Sequence, residues 1–420
     1  MRFSEKYQII RKRFFDDFYH EGSIGDRINL ENTELKFGDQ TIYMGLALLC
    51  LATEVPIRRD LGLDPAESIR PITEILDTID RLDDEAEAFY GAASIRDGFI
   101  LRDNFKSIDD PRLKRRWSKL ISDGQSLSKN SPSADQIFGI LYGLWFVKRY
   151  SGSDQLTARC QELADRLYRY AMRSRFMLKL PDGKPTHRGA DMWWLSSLMH
   201  GLAFNVSGVD HFDESKFDLL ELLRGAPGGV TVIPEEVDKT VRKVLDSAIG
   251  RVLFPEPVLG LQGIASFWDN AGRDAAAVLG AELQMPILPD SLGLPALSGL
   301  TIKVKSFSAH IILMAIATSN MWMQEEFEKA AVASSHQFSI LWYALAHEVM
   351  PLKVTKQQIE SLLASCPDEG PMTGLPVETG WQTDHRWIRC TNLKEPTNPG
   401  YRYAGLDFMM LHNLSELVYG

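Results

Sequence analysis

Two kinds of hydrophobic segment alternate along the 420-residue chain. One kind is apolar on every side over about three helical turns, which predicts a helix that is buried all round. The other kind places apolar residues at spacings of three and four among charged ones, which predicts an amphipathic helix with one face in solvent. Buried helices are predicted at about 39–55, 135–149, 190–204, 308–318, 336–348 and 405–417, and amphipathic helices at about 5–20, 68–90, 154–175, 215–248, 320–333 and 355–365.

Each buried segment begins with the same short polar signature. A small or apolar residue precedes an Asp or a His, and the apolar run follows directly. A single Asp in such a place is typical of a helix N-cap, because its carboxylate accepts free backbone N–H groups and complements the helix dipole. Repetition around a common centre favours a functional site instead. The residues in this position are Asp39, Asp135, Asp191, His310, His336 and Asp407.

The alternation favours two concentric layers of helices. An open linear array needs polar caps at both ends, and both ends of this chain are ordinary members of the pattern. In this pattern the chain resembles the (α/α)6 toroid of the six-hairpin glycosidase-like enzymes, at the level of architecture and over nearly the whole sequence. We therefore expect an all-α (α/α)6 toroid in a single domain, 1–420, with loop insertions at about 91–134, 249–307 and 366–404. Short strands are predicted within loops at 98–102, 229–233 and 300–304.

The lengths of the connections are unequal. Links that leave a buried helix are mostly short, whereas several links that lead into the next buried helix are long. Long structured loops in a compact domain usually carry function. One face of the toroid is therefore predicted to collect both the long loops and the polar helix starts, and we expect the functional site on that face.

The resemblance implies a carbohydrate-active enzyme. Hydrolysis of a glycosidic bond uses one protonated carboxyl group and one carboxylate. Carboxylates that converge in a cavity repel one another, and desolvation separates their pKa values further. Asp39, Asp135 and Asp191 are accordingly the predicted catalytic residues of a glycoside hydrolase that acts on an oligosaccharide or polysaccharide, with no cofactor and no metal ion.

Two other functions remain open at this point. A polysaccharide lyase on a uronate-containing glycan would use His336 or Tyr403 as the base, with Arg386 or Arg402 holding the carboxylate. A toroid without catalysis would serve as a sugar-binding or assembly module. A lyase forms an unsaturated product that absorbs in the near ultraviolet, and a hydrolase forms reducing ends without that absorbance.

Further substrate contacts are predicted where polar, charged and aromatic residues cluster in the long loops or at helix starts. Sugar rings stack on aromatic side chains, which supply a large contact area. These candidates are Gln40, Gln136, Arg188, Trp268, Asp269, His310, His385, Arg386, Trp387, Arg402, Tyr403 and Asp407.

Composition narrows the range of partners. The formal net charge of −10 argues against nucleic acid, because a phosphate-binding surface needs clustered Lys and Arg. The motifs GxGxxG, GxxxxGK[ST] and GxSxG are absent, which argues against dinucleotide, P-loop and serine-hydrolase sites. None of the four cysteines forms a CxxC pair, which argues against a disulfide framework and a thiolate metal site.

The N-terminal residues show no apolar stretch of the kind found in signal peptides. The sequence also has no uninterrupted apolar run of about 18 residues. We therefore expect a cytoplasmic protein without a membrane partner. A secreted or periplasmic enzyme whose signal had been removed would show the same pattern.

Overall fold

The computed structural model describes residues 3–25, 27–29, 35–36, 40–90, 96–102, 134–173, 196–209, 283–286, 301–304, 355–366 and 401–420. These residues are mostly helical, which confirms the all-α class. The helices within them are α1 (Glu5–Arg13), α2 (Gln40–Asp60), α3 (Ala66–Tyr90), α4 (Ala134–Tyr150), α5 (Asp154–Arg173), α6 (Ser196–Ser207), α7 (Lys356–Ser365) and α8 (Leu406–Tyr419).

Short antiparallel strands accompany the helices. The strands are β1 (Tyr19–His20), β2 (Ser23–Ile24), β3 (Arg27–Asn29), β4 (Leu35–Lys36), β5 (Leu283–Pro286), β6 (Thr301–Val304) and β7 (Tyr401–Tyr403). β1 pairs with β2, β3 pairs with both β4 and β7, and β5 pairs with β6. The β3–β7 pair joins the N-terminal part of the chain to the residues that lead into α8.

Most helices that the hydrophobic pattern predicts in this part of the chain are confirmed, with ends shifted by a few residues. α2 continues five residues beyond the predicted end, to Asp60. α1 ends earlier than predicted, and a π-helical turn over Phe14–Phe18 follows it. The strand predicted at 300–304 is confirmed as β6. The helices predicted at 215–248, 308–318, 320–333 and 336–348, the strand at 229–233 and residues 190–195 lie outside the described residues.

The strand predicted at 98–102 is wrong. Gly98 turns the chain with a φ of +94°, and the apolar residues after it are buried against helices. The N–H of Leu101 donates to the carbonyl oxygen of Leu82 in α3, 3.1 Å away. The apolar run therefore reflects burial between α3 and α5, which sequence alternation alone does not distinguish from a strand.

Glycines let α2 and α4 approach each other closely. A Cβ atom on Gly45 would overlap the carbonyl oxygen of Gly139, and one on Gly143 would lie 2.9 Å from the Cβ of Leu48. A Cβ atom on Gly139 would lie 3.1 Å from the Cα of Ile42. The contacts advance in the same direction along both helices, so α2 and α4 run parallel.

The end of α4 also contacts the end of α6. The ammonium group of Lys148 donates to the carbonyl oxygens of Asn205 and Val206, at 2.7 and 2.9 Å. These three residues all lie in the last turns of their helices. Because the two C-terminal ends meet, α4 and α6 run parallel as well, and Lys148 complements the negative end of the α6 dipole.

α8 also packs on α2. The thiol of Cys50 donates to the carbonyl oxygen of Leu406 at 3.4 Å, and the side-chain amide of Asn413 donates to Thr53 Oγ1 at 3.2 Å. The contact that is later in the sequence of α2 is also later in the sequence of α8, so the two helices run parallel. The described buried helices therefore stand side by side in the order α8, α2, α4, α6.

The amphipathic helices cover this row. α3 packs on α2, α5 packs on both α4 and α6, and α1 and α7 pack on α8. Arg159 in α5 pairs with Asp77 in α3 at 2.5 Å, and Arg166 pairs with Asp83 at 3.2 Å. The ion pair that is later in the sequence of α3 is also later in the sequence of α5. The two helices therefore also run parallel, on the outside of the buried row.

A buried carboxylate connects the first, second, third and last of these helices. Glu54 in α2 is fully buried and accepts hydrogen bonds from Tyr7 Oη at 2.5 Å, Arg11 Nε at 2.9 Å and Ser68 Oγ at 2.6 Å. Asn413 donates in turn to the Tyr7 hydroxyl at 3.0 Å. Burial, together with the neighbouring Glu54 carboxylate, raises the pKa of Tyr7 well above its usual value, so the phenol remains a donor.

α2 is long and apolar enough to cross a membrane, judged by length and composition within the described residues. However, 94 % of its apolar window is buried inside the structure. The helix also contains Glu54, whose hydrogen-bond partners come from two other helices, α1 and α3. Its apolar character is therefore that of a core helix.

The close approach of α2 and α4 predicts the effect of adding one methyl group. Gly45→Ala should lower the free energy of unfolding by about 2–3 kcal/mol, because the new Cβ overlaps the backbone of α4. Helix propensity alone predicts the opposite sign, a gain of about 1 kcal/mol for Ala over Gly. Urea unfolding followed by circular dichroism measures the difference.

Gly62→Ala is the matched control, because Gly62 has no atom within 4 Å of a Cβ position. Its φ of +68° leaves only the conformational cost of about 1 kcal/mol. A Gly45→Ala variant that is more stable than the wild type would contradict the packing of α2 against α4.

The Glu54 contacts predict a second stability effect. Glu54→Gln should lower the free energy of unfolding by about 3 kcal/mol, because Arg11 then loses its buried counter-charge. The expected loss of unfolding free energy lies at the lower end of the usual range for a broken buried ion pair, because the side chain of Arg11 remains 18 % exposed. Asp16→Asn is the control, because that carboxylate is 54 % exposed and pairs with Lys12, which is 76 % exposed. Equal urea midpoints for the two variants would rule out the proposed role of Glu54.

Candidate functional site

Two of the repeated helix starts lie at the same end of the structure. Because α2 and α4 are parallel and Ile42 faces Gly139, the beginnings of the two helices are neighbours. Gln40 is the first residue of α2, and Gln136 is the third residue of α4. Both side chains are fully buried. The parallel packing thus brings together two positions that lie 96 residues apart in the sequence (136 − 40).

Some polar side-chain atoms at the start of α2 form no hydrogen bond. Gln40 Nε2, Gln40 Oε1 and Thr41 Oγ1 are buried and have no hydrogen-bond partner among the described residues. Leaving one such group unpaired costs about 1–3 kcal/mol, and folded proteins rarely tolerate it. The first turn of a helix also presents unpaired backbone N–H groups. The start of α2 therefore contains side-chain donors and acceptors that the described residues leave without partners.

The predicted catalytic residues are adjacent to these positions in sequence. Asp135 is the second residue of α4 and directly precedes Gln136. Asp39 directly precedes α2 and lies outside the described residues, as do Asp191 and His336. The loop candidates Arg188, Trp268, Asp269, His310, His385, Arg386 and Trp387 also lie outside them. Their predicted roles stay predictions.

Asp407 occupies the second position of α8, as the repeat predicts. Its Oδ1 atom accepts the N–H of Phe408 at 2.9 Å. The start of α8 lies beside Cys50, ten residues beyond Gln40 in α2, a distance of about 15 Å along a helix. Burial raises the pKa of the Cys50 thiol, and the Glu54 and Asp407 carboxylates add to the effect. Asp407 is thus offset from the paired starts of α2 and α4.

Arg402 and Tyr403 lie in β7 rather than in an open loop. Arg402 is opposite Ile28 in β3, and its Nη2 atom pairs with Asp17 Oδ2 at 3.0 Å. Tyr403 is only 5 % exposed. Burial, together with the neighbouring charge of Arg402, lowers the pKa of Arg13 to about 10. The positive charge of Arg402 is therefore already opposed by an acidic side chain of the protein.

The structure also brings together three carboxylates that the sequence did not single out. Oxygen atoms of Asp83, Glu87 and Asp97 lie within 4.8 Å of one another. Burial, followed by the charge of Asp97, raises the pKa of Glu87 to about 7. Burial also raises the pKa of Asp83 to about 7, although Arg166 opposes the shift. The i, i+4 spacing of Asp83 and Glu87 is visible in sequence, but the approach of Asp97 is not.

A metal ion is not needed to explain these three carboxylates. Asp83 Oδ2 accepts the N–H of Gly98 at 3.2 Å and pairs with Arg166 Nε at 3.2 Å. Oxygen atoms of Glu87 and Asp97 lie within 4.8 Å of each other, and the raised pKa of Glu87 favours its protonated form, which can donate to a neighbouring carboxylate. Donors of the protein therefore already satisfy Asp83, the most enclosed of the three carboxylates.

The comparisons with known proteins found no relative of this chain. No protein-family model, no curated protein and no solved structure matches the chain. The function is therefore argued from the helix arrangement and from the polar groups at the helix starts.

The unpaired amide of Gln40 predicts an unusual gain in stability. Gln40→Met should raise the free energy of unfolding by about 1–2 kcal/mol, because an apolar side chain of similar shape removes a buried polar group without a partner. Gln136→Met is the control: Gln136 is equally buried but does have an interaction partner, so this change should destabilise the protein. Loss of stability in Gln40→Met, measured by thermal unfolding without ligand, would show that the amide is satisfied by the protein.

Proposed function

We propose that the chain is a glycoside hydrolase that acts on an oligosaccharide, built as an (α/α)6 toroid. The support for the ring is the row of parallel buried helices and the helices that cover it. α8, the last described buried helix, is a direct neighbour of α2, the first. A closed ring requires that contact, whereas an open array separates its first and last members.

The observation that carries the proposal is the buried, unpartnered amide of Gln40 beside the start of α4. A glutamine amide has a donor and an acceptor side by side, which suits two neighbouring hydroxyl groups of a sugar. Such a ligand would satisfy both atoms at once. An apolar ligand would leave the desolvation penalty in place.

The carboxylates that precede the two glutamines supply the chemistry in this proposal. Asp39 and Asp135 stand at helix N-termini, where the helix dipole favours an ionised carboxylate. Two carboxylates that face one cavity repel each other, so one of them takes up a proton more readily. The protonated group then acts as the acid on the leaving oxygen, and the ionised one as nucleophile or water activator. Asp191 is the third candidate for either role.

The lyase alternative is weaker on the described residues. It requires an arginine that is free to hold a uronate carboxylate, and Arg402 pairs with Asp17 instead. It also requires an accessible base, whereas Tyr403 is only 5 % exposed. His336 and Arg386, the other pair for this reaction, lie outside the described residues.

Product analysis with point variants tests the proposal. The wild type should release reducing ends from oligosaccharides without an increase in near-ultraviolet absorbance. Asp39→Asn and Asp135→Asn should each lower kcat by about 10²- to 10⁴-fold, because an amide can neither donate nor accept the catalytic proton. Both variants should unfold at the same temperature as the wild type.

Asp154→Asn is the matched control, because Asp154 stands in the first turn of the covering helix α5. Its activity should equal that of the wild type. Unsaturated products would establish a lyase and overturn the hydrolase proposal. Sugar binding without turnover, unchanged in Asp39→Asn and Asp135→Asn, would establish a binding module.

A further inference from the structure

A short segment at the base of the predicted 91–134 insertion is held between α3 and α5. The carboxylate of Asp83 accepts the N–H of Gly98 at 3.2 Å, and the carboxylate of Asp97 accepts the N–H of Phe99 at 2.8 Å. The side chains of Phe99, Ile100 and Leu101 are buried. Besides the hydrogen bond from Leu101 to Leu82, the backbone of this segment thus uses the carboxylate of Asp83 for contact with α3 and that of Asp97 for its own turn.

The turn at Gly98 fits closely against α5. Its φ of +94° is accessible to glycine at little cost. A Cβ atom at this position would overlap the carbonyl oxygen of Arg166 and lie 3.0 Å from the Cβ of Tyr170. The segment is therefore in contact with both outer helices, and small changes in the charges there act directly on it.

The charges around the segment are unbalanced. Asp83, Glu87 and Asp97 face Arg166, the cation that contacts this cluster among the described residues. The other charged groups nearby pair with one another: Arg96 with Asp80 and Asp84, Arg159 with Asp77 and Asp80, and Arg166 additionally with Asp80 and Glu162. Full ionisation of the three carboxylates would leave negative charge uncompensated.

We propose that Glu87 and Asp97 share a proton, and that this proton is a pH-sensitive latch that holds residues 96–101 against α3. With the proton present, one carboxyl group donates to the other and the two side chains attract. Without it, two adjacent carboxylates repel, and Asp97 withdraws from Glu87. The hydrogen bond from Phe99 to Asp97 and the docking of Gly98 on Asp83 then weaken together.

The direction of the pH dependence follows from the pKa of Glu87. Burial, then Asp97, raises this pKa to about 7, from an ordinary value of about 4.3 in an unfolded chain. Stabilisation by the latch is therefore complete below about pH 4 and is lost as pH rises through about 7. Burial also raises the pKa of Asp83 to about 7, but ionised Asp83 accepts the N–H of Gly98 and pairs with Arg166, so the loss is assigned to the Glu87–Asp97 pair.

The latch lies on α3, the helix that follows α2 in the chain. α3 turns back from α2 through the short connection 61–65, so its C-terminal end lies near the start of α2. Residues after 102 lead along the chain to α4, where Asp135 and Gln136 stand. Release of the latch therefore acts on residues 96–101, which precede the connection to α4 in the sequence. The proposal does not depend on the reaction that the site performs.

Hydrogen exchange of backbone amides tests the latch. The protection of the Gly98 and Phe99 amides should fall about tenfold or more between pH 6 and pH 8, after correction for the intrinsic exchange rate. Glu87→Gln keeps a donor to Asp97 at every pH, so in this variant protection should change by less than about threefold. Glu85→Gln, on the same helix but paired with Arg81, should behave like the wild type.

Two results of this experiment would contradict the proposed latch. Wild-type protection that does not change with pH would overturn the proposal, as would the same pH dependence in Glu87→Gln. Addition of Mg²⁺ or Ca²⁺ at pH 8 separates a proton from a metal ion. If either ion restores protection in the wild type but not in Glu87→Gln, the carboxylates form a cation site and the shared proton is wrong.

Discussion

The contact between α2 and α4 determines the geometry of the rest of the described structure. Gly45, Gly139 and Gly143 remove the side chains that would hold the two backbones apart. Because the contacts advance in the same direction, the helices are parallel, and their starts fall at one end. The proximity of Gln40 and Gln136 depends on this close contact between α2 and α4. With larger side chains, the two polar starts would no longer be neighbours.

Glu54 adds a constraint of a different kind. A buried carboxylate is costly unless it is paired and hydrogen-bonded. Here the partners come from α1 and α3, with Asn413 of α8 one hydrogen bond further on. The charge therefore constrains how α1 and α3 pack on α2, because their donors must reach the Glu54 carboxylate. Apolar packing is non-directional and could not make that choice by itself.

The outer layer uses charge differently. α3 carries acidic residues along the side that faces α5, and most of them pair with arginines. At one end Asp83, Glu87 and Asp97 outnumber Arg166, and in our proposal a shared proton restores the balance. The same surface thus contains both fixed ion pairs, which align α3 with α5, and a group that titrates near neutral pH. The difference arises from burial and from the approach of Asp97, not from the type of residue.

The sequence by itself determined the helices. Its apolar runs correspond to α2, α4, α6 and α8, and its amphipathic segments correspond to the helices that cover them. Helical periodicity is a local property, so it can be read without the fold. Only the tertiary structure decided which starts meet, that Arg402 pairs with Asp17, and that Asp97 reaches Glu87. Those contacts join residues that are distant in the chain or separated by a loop, and their pairing depends on the parallel packing of the helices, which no local pattern encodes.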